Sequence, residues 1–222
     1  MPRLYTYCIP GDDGAAPNPY WGICTLNICK PVIRRTARKR DWVVGTGSKQ
    51  FGFENKVVYA MEITQTMTMQ EYEIFCKKSI PEKIPRWKSK RYKEKVGDCI
   101  YDFSDDPPKI LDSMHSIENM MTDLGGKCTL LSDHFYYFGD KPEQLPGYLI
   151  PIVKQGRGHR SKSNDQYFQL FIDWISTKTK AKNKVYSNPK CKGEYKNLEN
   201  CRTICSTRDK LNDEIDEEMG DE

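Results

Sequence analysis

The sequence predicts an α+β fold built round a strongly bent mixed sheet or small open β-barrel, with a few packed helices. Short runs rich in β-branched and aromatic residues recur along the chain, and only a few segments carry helical periodicity. Neither a regular strand–helix alternation nor a glycine fingerprint is present, which argues against a doubly wound parallel sheet. The 222 residues, 37% hydrophobic and 11% aromatic, suffice for one well-buried core.

Leu4 to Ile9 alternates polar and apolar residues and reads as an opening strand ended by Pro10-Gly11. GDDGAAPNP is a loop, because its Gly, Pro, Asp and Asn residues are turn-formers. Trp21 to Cys29 is apolar again, as strand or short helix, and VIRRTARKR is expected to form a helical turn. DWVVG, from Asp41 to Gly45, is a core strand, and KVVYAMEIT, from Lys56 to Thr64, is the clearest strand. A polar turn, TQTMTMQ, then leads into the helical segment MQEYEIFCKK. SIPEKIPRWKSKRYKEK, with its prolines and dense positive charge, is read as a surface loop. VGDCIYDF holds a short strand and DLGGKCTLLSDHFYYFG another, with Tyr136, Tyr137 and Phe138 in the core. DQYFQLFIDWIS places Phe168, Phe171, Ile172 and Ile175 on one helical face. The expected organisation is a domain over residues 1–178 and a Lys- and Cys-rich appendage over 179–222, whose acidic last ten residues are disordered.

The net charge of +4 is unevenly distributed. Basic residues cluster around Lys30 to Arg40, Lys83 to Lys95 and Lys154 to Lys162, while the tail DKLNDEIDEEMGDE is acidic. A basic body attracts phosphates, although any single Lys-rich run is more often solvated surface. The opening residues carry no apolar stretch behind a basic segment, and no run approaches the roughly 18 apolar residues of a membrane span. With nine cysteines, an odd number, reduced thiols and a cytoplasmic location are expected.

The segment Gly11 to Ser48 resembles the second type of nucleotide-modification-associated domain, a family proposed to accompany DNA base-modification systems. The matching pieces are Asp13-Gly14, Ala16-Pro17-Asn18-Pro19, Trp21-Gly22, Cys24-Thr25-Leu26, Cys29-Lys30-Pro31, Ile33-Arg34, Asp41-Trp42 and Gly45-Thr46-Gly47-Ser48. Weaker matches extend the resemblance over roughly residues 3 to 175, at Tyr59 to Ile63, Gly97-Asp98, Phe135 to Gly139 and Gly158-His159-Arg160. Arg40 stands where the family pattern leads one to expect glycine, and Ala16 replaces a bulkier aromatic residue. The resemblance implies a nucleotide-modification context and names no reaction.

Chemistry is therefore read from the residues. Gly45, Thr46, Gly47 and Ser48 offer a glycine-rich approach to a phosphate or base, without the ending of a Walker loop. Arg34 and Arg38, on one face of a helical turn, are expected to bind phosphate through planar guanidinium groups, with Lys30, Asn18 and Arg160 as further contacts. Trp21 is the better base-stacking candidate, since Trp42 sits in a core strand. Asp13, Glu62 and His159 are the candidate acid–base groups, chosen over Asp12, Asp98 and His134. The Cys24 and Cys29 spacing lacks a second pair for zinc, and Cys191, Cys201 and Cys205 lack a histidine beside them, so no metal site is expected. No cofactor is indicated.

The leading expectation is a module that recognises nucleic acid or a modified base or nucleotide within a DNA modification or defence system, alongside a modification enzyme and away from membranes. PUA-like domains, which read flipped bases on a small bent sheet, offer an analogy. The alternatives are an enzyme acting on a nucleotide or modified base, and a basic scaffold regulated by its acidic tail.

Overall fold

The computed structural model describes residues 1–192. Its strands are β1 (Leu4–Ile9), β2 (Cys24–Leu26), β3 (Trp42–Gly47), β4 (Lys56–Glu62), β5 (Gln65–Thr68), β6 (Tyr101–Asp102), β7 (Lys109–Ile110), β8 (Cys128–Ser132), β9 (His134–Tyr137), β10 (Glu143–Gln144) and β11 (His159–Arg160). Its α-helices are α1 (Pro31–Thr36), α2 (Met69–Ser79), α3 (Tyr92–Lys95), α4 (Met120–Gly125) and α5 (Phe168–Ser176).

The main sheet has six strands in the order β10-β4-β3-β1-β11, with β9 also pairing β4. It is mixed, because β1 and β3 run parallel and the remaining pairs antiparallel. A parallel pair needs a long crossover, and the residues between β1 and β3 supply it, carrying β2 and α1. A second, antiparallel sheet, β2-β8-β5, is joined to the first by one continuous ribbon. The chain passes directly from β4 to β5 and from β8 to β9, so Glu62 pairs with His134 in one sheet and Gln65 with Leu131 in the other. The sheets do not close into a barrel.

Period-2 alternation sorts the main sheet into two apolar faces. One face carries Tyr5, Tyr7, Val43, Tyr59, Met61, Phe135 and Tyr137, and packs against Cys24, Leu26 and Leu130 of the second sheet and Ile33 of α1. The opposite face carries Leu4, Trp42, Val44, Ala60, Tyr136 and Phe138 and is covered by Phe171 and Ile175 of α5. Phe168 and Ile172 pack against the same cluster, as the helical pattern predicts. Helix α2 starts at a capping box, in which Thr68 accepts from Glu71 N–H and Glu71 accepts from Thr68 N–H.

Several local expectations are corrected. The polar TQTMTMQ turn is strand β5 with a helix cap behind it, because its threonines suit an edge strand as readily as a turn. Lys83, grouped with an exposed basic loop, is fully buried. Gly45, Thr46 and Gly47 form no loop: they lie inside β3 and are buried. A Cβ at Gly45 would run into Ile9 and the Tyr59 ring, and one at Gly47 into Phe53. These glycines admit close packing on the strand instead of cradling a phosphate.

Of the segment assigned to the appendage, residues 179–192 lie against the body. Asn183 N–H donates to Phe135 at 2.7 Å, Tyr186 N–H to Tyr137 at 2.9 Å and Cys191 N–H to Asp12 at 2.7 Å. Cys201, Cys205 and the acidic tail lie outside the described residues. Among the described residues, no helix is long and apolar enough to cross a membrane.

Overpacking at a strand glycine carries a definite cost. Gly45→Ala is expected to destabilise the fold by about 1–3 kcal/mol in urea denaturation, and an unchanged midpoint would show that the strand accommodates the methyl group.

Candidate functional site

The crossover between β2 and α1 turns through two consecutive residues in the left-handed region, Cys29 at φ 58° and Lys30 at φ 44°, before Pro31 opens the helix. Such positions are uncommon for residues other than glycine and persist only where the surroundings enforce them. Here Arg34 does so. Its side chain is fully buried, and its guanidinium donates to the carbonyls of Cys29 (2.8 Å), Asn27 (2.5 Å), Cys128 (3.1 Å) and Asp123. The turn, α4 and β8 are thereby tied to one group. Gly126 closes against the same guanidinium, where a Cβ would collide. Arg34 is therefore not an exposed phosphate ligand sharing a face with Arg38; its side chain points into the protein to satisfy carbonyls that the fold would otherwise leave unpaired.

Asp123, on α4, is the second centre. Its Oδ1 accepts from Cys29 N–H at 2.8 Å, while its Oδ2 accepts from Tyr101 OH at 2.8 Å and lies 2.6 Å from His115 Nδ1. Burial alone would raise its pKa, but the His115 ring and then Arg34 outweigh that effect and hold the carboxyl below its usual value. A carboxylate only accepts hydrogen bonds, so the proton between them belongs to His115 Nδ1 and Nε2 is directed elsewhere. It faces the Cys29 sulfur at 3.5 Å. His115 and Asp123 are buried and Cys29 is half-buried.

Further polar groups occupy the same face of the sheet. Tyr7 and Tyr59 share a hydroxyl–hydroxyl bond of 2.9 Å, and Lys30 Nζ stands 5.0 Å from the centre of the Tyr7 ring. Burial raises the Tyr7 pKa, with Cys29, Asp12 and Cys24 among the neighbours that raise it further. Both oxygens of buried Asp12 accept from Tyr137 OH, at 2.8 and 2.7 Å. Its pKa is pushed up to about 7, chiefly by burial.

A separate ionic cluster braces the loop after β1. Lys83 Nζ donates to the Asn18 carbonyl (2.9 Å), Asn18 Oδ1 (2.8 Å), the Ile23 carbonyl (2.9 Å) and Thr25 Oγ1 (2.9 Å). Asp98 accepts from Thr25 Oγ1 at 2.5 Å and Tyr72 OH at 2.7 Å. All of these side chains are buried, so Asn18 braces the fold instead of contacting a ligand.

The other expected site residues are dispersed. Trp21 carries Lys93 Nζ 4.2 Å from its ring centre, so one face is already occupied. Ser48 is half-buried just beyond β3. Glu62 pairs with His134 Nδ1 at 2.8 Å beside Trp42. His159 stands opposite Tyr7 on β11, its ring 5.8 Å from that of Tyr5 on the other sheet face. Asp13 is in the loop beyond the far end of β1 and accepts from Ala15 N–H at 2.9 Å. Asp13, Glu62 and His159 thus form no common constellation. Arg160 donates to the Pro151 carbonyl at 2.9 Å.

Arg38 reaches the surface. With Met1, Pro2, Arg3, Tyr5, Thr36, Lys39, Arg40 and Asp41 it lines an open cleft of about 340 Å³. Both Asp41 oxygens are taken by backbone N–H groups, of Arg3 at 2.8 Å and Arg38 at 2.7 Å. Among the described residues, no salt bridge joins Arg3, Arg38, Lys39 or Arg40 to an acid. Arg40 adopts φ 77°, the left-handed conformation that explains the expectation of glycine at this place.

The profile of the nucleotide modification associated domain 2 family matches residues 1–196. The chain belongs to that family. The match spans both sheets, the Arg34 and Asp123 cluster and the basic cleft, and a nucleotide-modification-associated role follows for this member of the family. No curated protein and no solved structure shows significant similarity to the chain.

Sequence reasoning missed His115 and Asp123 and assigned Cys29 to structure. These residues meet only in the folded chain, Cys29 and His115 being 86 positions apart. The available signal was that His115 is one of just three histidines and stands directly before a Ser116 capping box that starts the segment leading into α4.

Arg34→Ala, which leaves four buried carbonyls without their donor, is expected to cost about 3–5 kcal/mol of unfolding free energy, against less than about 0.5 kcal/mol for Arg38→Ala. Equal effects in parallel denaturation curves would refute the assignment of Arg34 as a clamp. Asp12 has a raised folded-state pKa, so its contribution to stability is complete below its unfolded value near pH 4 and is lost as pH rises through about 7. Asp12→Asn should therefore raise the melting temperature relative to the parent above about pH 8 and give no such gain below about pH 4. A gain independent of pH would contradict burial of an ionisable group there.

Proposed function

We propose that this member of the nucleotide modification associated domain 2 family binds a phosphate-bearing nucleotide or nucleic-acid strand, and that the phosphate sits in the cleft between α1 and the start of β1. The cleft itself carries the reading. Four cationic side chains, Arg3, Arg38, Lys39 and Arg40, line it around one carboxylate, Asp41, whose oxygens are engaged by backbone N–H groups. Such an excess of positive charge attracts a polyanion, and guanidinium groups bind phosphate oxygens in pairs.

A modified base is the natural object of recognition for a protein of this family, with a modification enzyme as the partner. PUA-like base readers remain an analogy for recognition of a base by a bent-sheet fold. Arg38 keeps the phosphate-binding role expected of it, in the company of Arg3 and Arg40 in place of Arg34.

Fluorescence anisotropy with labelled single-stranded DNA, duplex DNA and RNA tests this reading. Affinity should fall steeply between about 50 and 200 mM salt, and Arg38→Ala with Arg40→Ala should weaken binding at every salt concentration and flatten the salt slope by about one for each phosphate that the variant no longer neutralises. Binding that the double variant leaves intact would remove the cleft from the account.

A further inference from the structure

The geometry points to Cys29 as a catalytic nucleophile, with His115 as its general base and Asp123 as the residue that positions the base, acting by addition of the thiolate to C6 of a pyrimidine. The substrate class rests on the nucleotide-binding reading; the nucleophile does not.

A nucleophilic thiol needs a base within hydrogen-bonding reach and a third group that fixes the base. Cys29 Sγ lies 3.5 Å from His115 Nε2, and His115 Nδ1 lies 2.6 Å from Asp123 Oδ2. Asp123 is itself held by Tyr101 OH and by the backbone N–H of Cys29, so the carboxylate that orients the imidazole also fixes the backbone that presents the thiol. A cysteine that only filled core space would need none of this, because a thiol packs as a small apolar group, whereas a buried histidine and carboxylate carry a desolvation cost. The left-handed backbone at Cys29 and Lys30 is a second, independent observation. Strain of that kind is held in place by Arg34, and Cys29 is the one half-buried residue of the three.

The sulfur, the imidazole and a carboxylate oxygen lie within 4.8 Å of one another, which also invites a metal reading. The hydrogen bonds argue against it. Asp123 already accepts from three donors, one of them the imidazole Nδ1, which among the described residues leaves one thiol and one nitrogen where zinc takes three or four protein ligands.

A thiolate is a soft nucleophile, and the carbon of a nucleobase open to conjugate addition is C6 of cytosine or uracil. In the forward step His115 Nε2 takes the thiol proton, the S–C6 bond forms, and the π pair of C5=C6 moves to C5 and is delocalised onto the group at C4. C5 then takes a proton from solvent. The return step removes the original hydrogen from C5, restores the double bond and expels the thiolate, which regains its proton from His115. The net change is exchange of the C5 hydrogen with water, and neither oxidant nor reductant is consumed. Cys29 stands at the start of α1 and the basic cleft at its other end, a helix of six residues or about 9 Å. One nucleotide can therefore place a phosphate in the cleft while its base approaches the thiol.

The full chain should be incubated in deuterated buffer with dCMP, dUMP and a short pyrimidine oligodeoxynucleotide, and loss of the C5 proton followed by NMR. Exchange above the buffer rate is expected, abolished by Cys29→Ser and reduced about 10²-fold or more by His115→Gln. In parallel, iodoacetamide labelling mapped by mass spectrometry should find Cys29 reacting with an inflection below the ordinary thiol value of about 8.5, and His115→Gln and Asp123→Asn should move that inflection upward. Circular dichroism of each variant checks that it folds, and the side chain exchanged in Cys29→Ser is near-isosteric. Labelling that ignores His115 would overturn the nucleophile. Normal labelling with no exchange in any substrate would overturn the pyrimidine assignment, and stoichiometric zinc lost on Cys29→Ser would replace both with a metal centre. Arg38→Ala with Arg40→Ala separates the two readings: it should slow exchange on the oligonucleotide and leave labelling of Cys29 unchanged, and impaired labelling would contradict the division of roles.

Discussion

A guanidinium withdrawn from water has to find acceptors for its N–H groups, and the way Arg34 does so organises this protein. Its donors reach carbonyls in the β2–α1 turn, in α4 and at the start of β8, segments far apart in the chain. No apolar contact could specify the relative placement of these three segments so closely, because dispersion tolerates sliding and a planar fork of hydrogen bonds does not. The left-handed turn at Cys29 and Lys30 and the position of Asp123 both follow from that clamp.

A second buried polar cluster, centred on Lys83 and Asp98, lies against Thr25 and Tyr72 on the side of the second sheet turned away from the main sheet, and a buried carboxyl stands at Asp12. The main-sheet face covered by α5 packs an apolar cluster. Burial lowers the pKa of Lys83, opposed first by Asp98, and raises that of Asp98, opposed first by Lys83.

The legible part of the fold was the local part. Strands β1, β3 and β4 and helices α2 and α5 announce themselves by alternation or by helical spacing, and the family is carried by a dense run of residues between Gly11 and Ser48. The ends of individual charged side chains were not legible. Arg34 and Arg38 look alike in the sequence, yet one is buried and the other lines an open cleft. Lys83 sits in a run of exposed lysines and is nonetheless buried, because its acceptors are Asn18, Ile23 and Thr25, about 60 positions away. Gly45 and Gly47 were read as loop residues because a glycine in a strand is justified only by what packs on it, here Tyr59 and Phe53. The cluster of Cys29, His115 and Asp123 was invisible for the same reason: its members come from a turn, a loop and a helix, and only the tertiary fold makes them neighbours.

On the proposed reading, Arg34 and Asp123 form the frame, Cys29 and His115 are the working groups, and the basic cleft is where a phosphate binds. The proposed nucleophile depends on the orientation of one imidazole ring. Long-range nitrogen–proton correlation spectra of His115 in the folded protein read that orientation directly. The expected result is a proton held on Nδ1, shifted downfield by its bond to Asp123, and an Nε2 resonance that responds when Cys29 is changed to serine. A ring protonated on Nε2 and bare on Nδ1, with signals indifferent to Cys29, would contradict it.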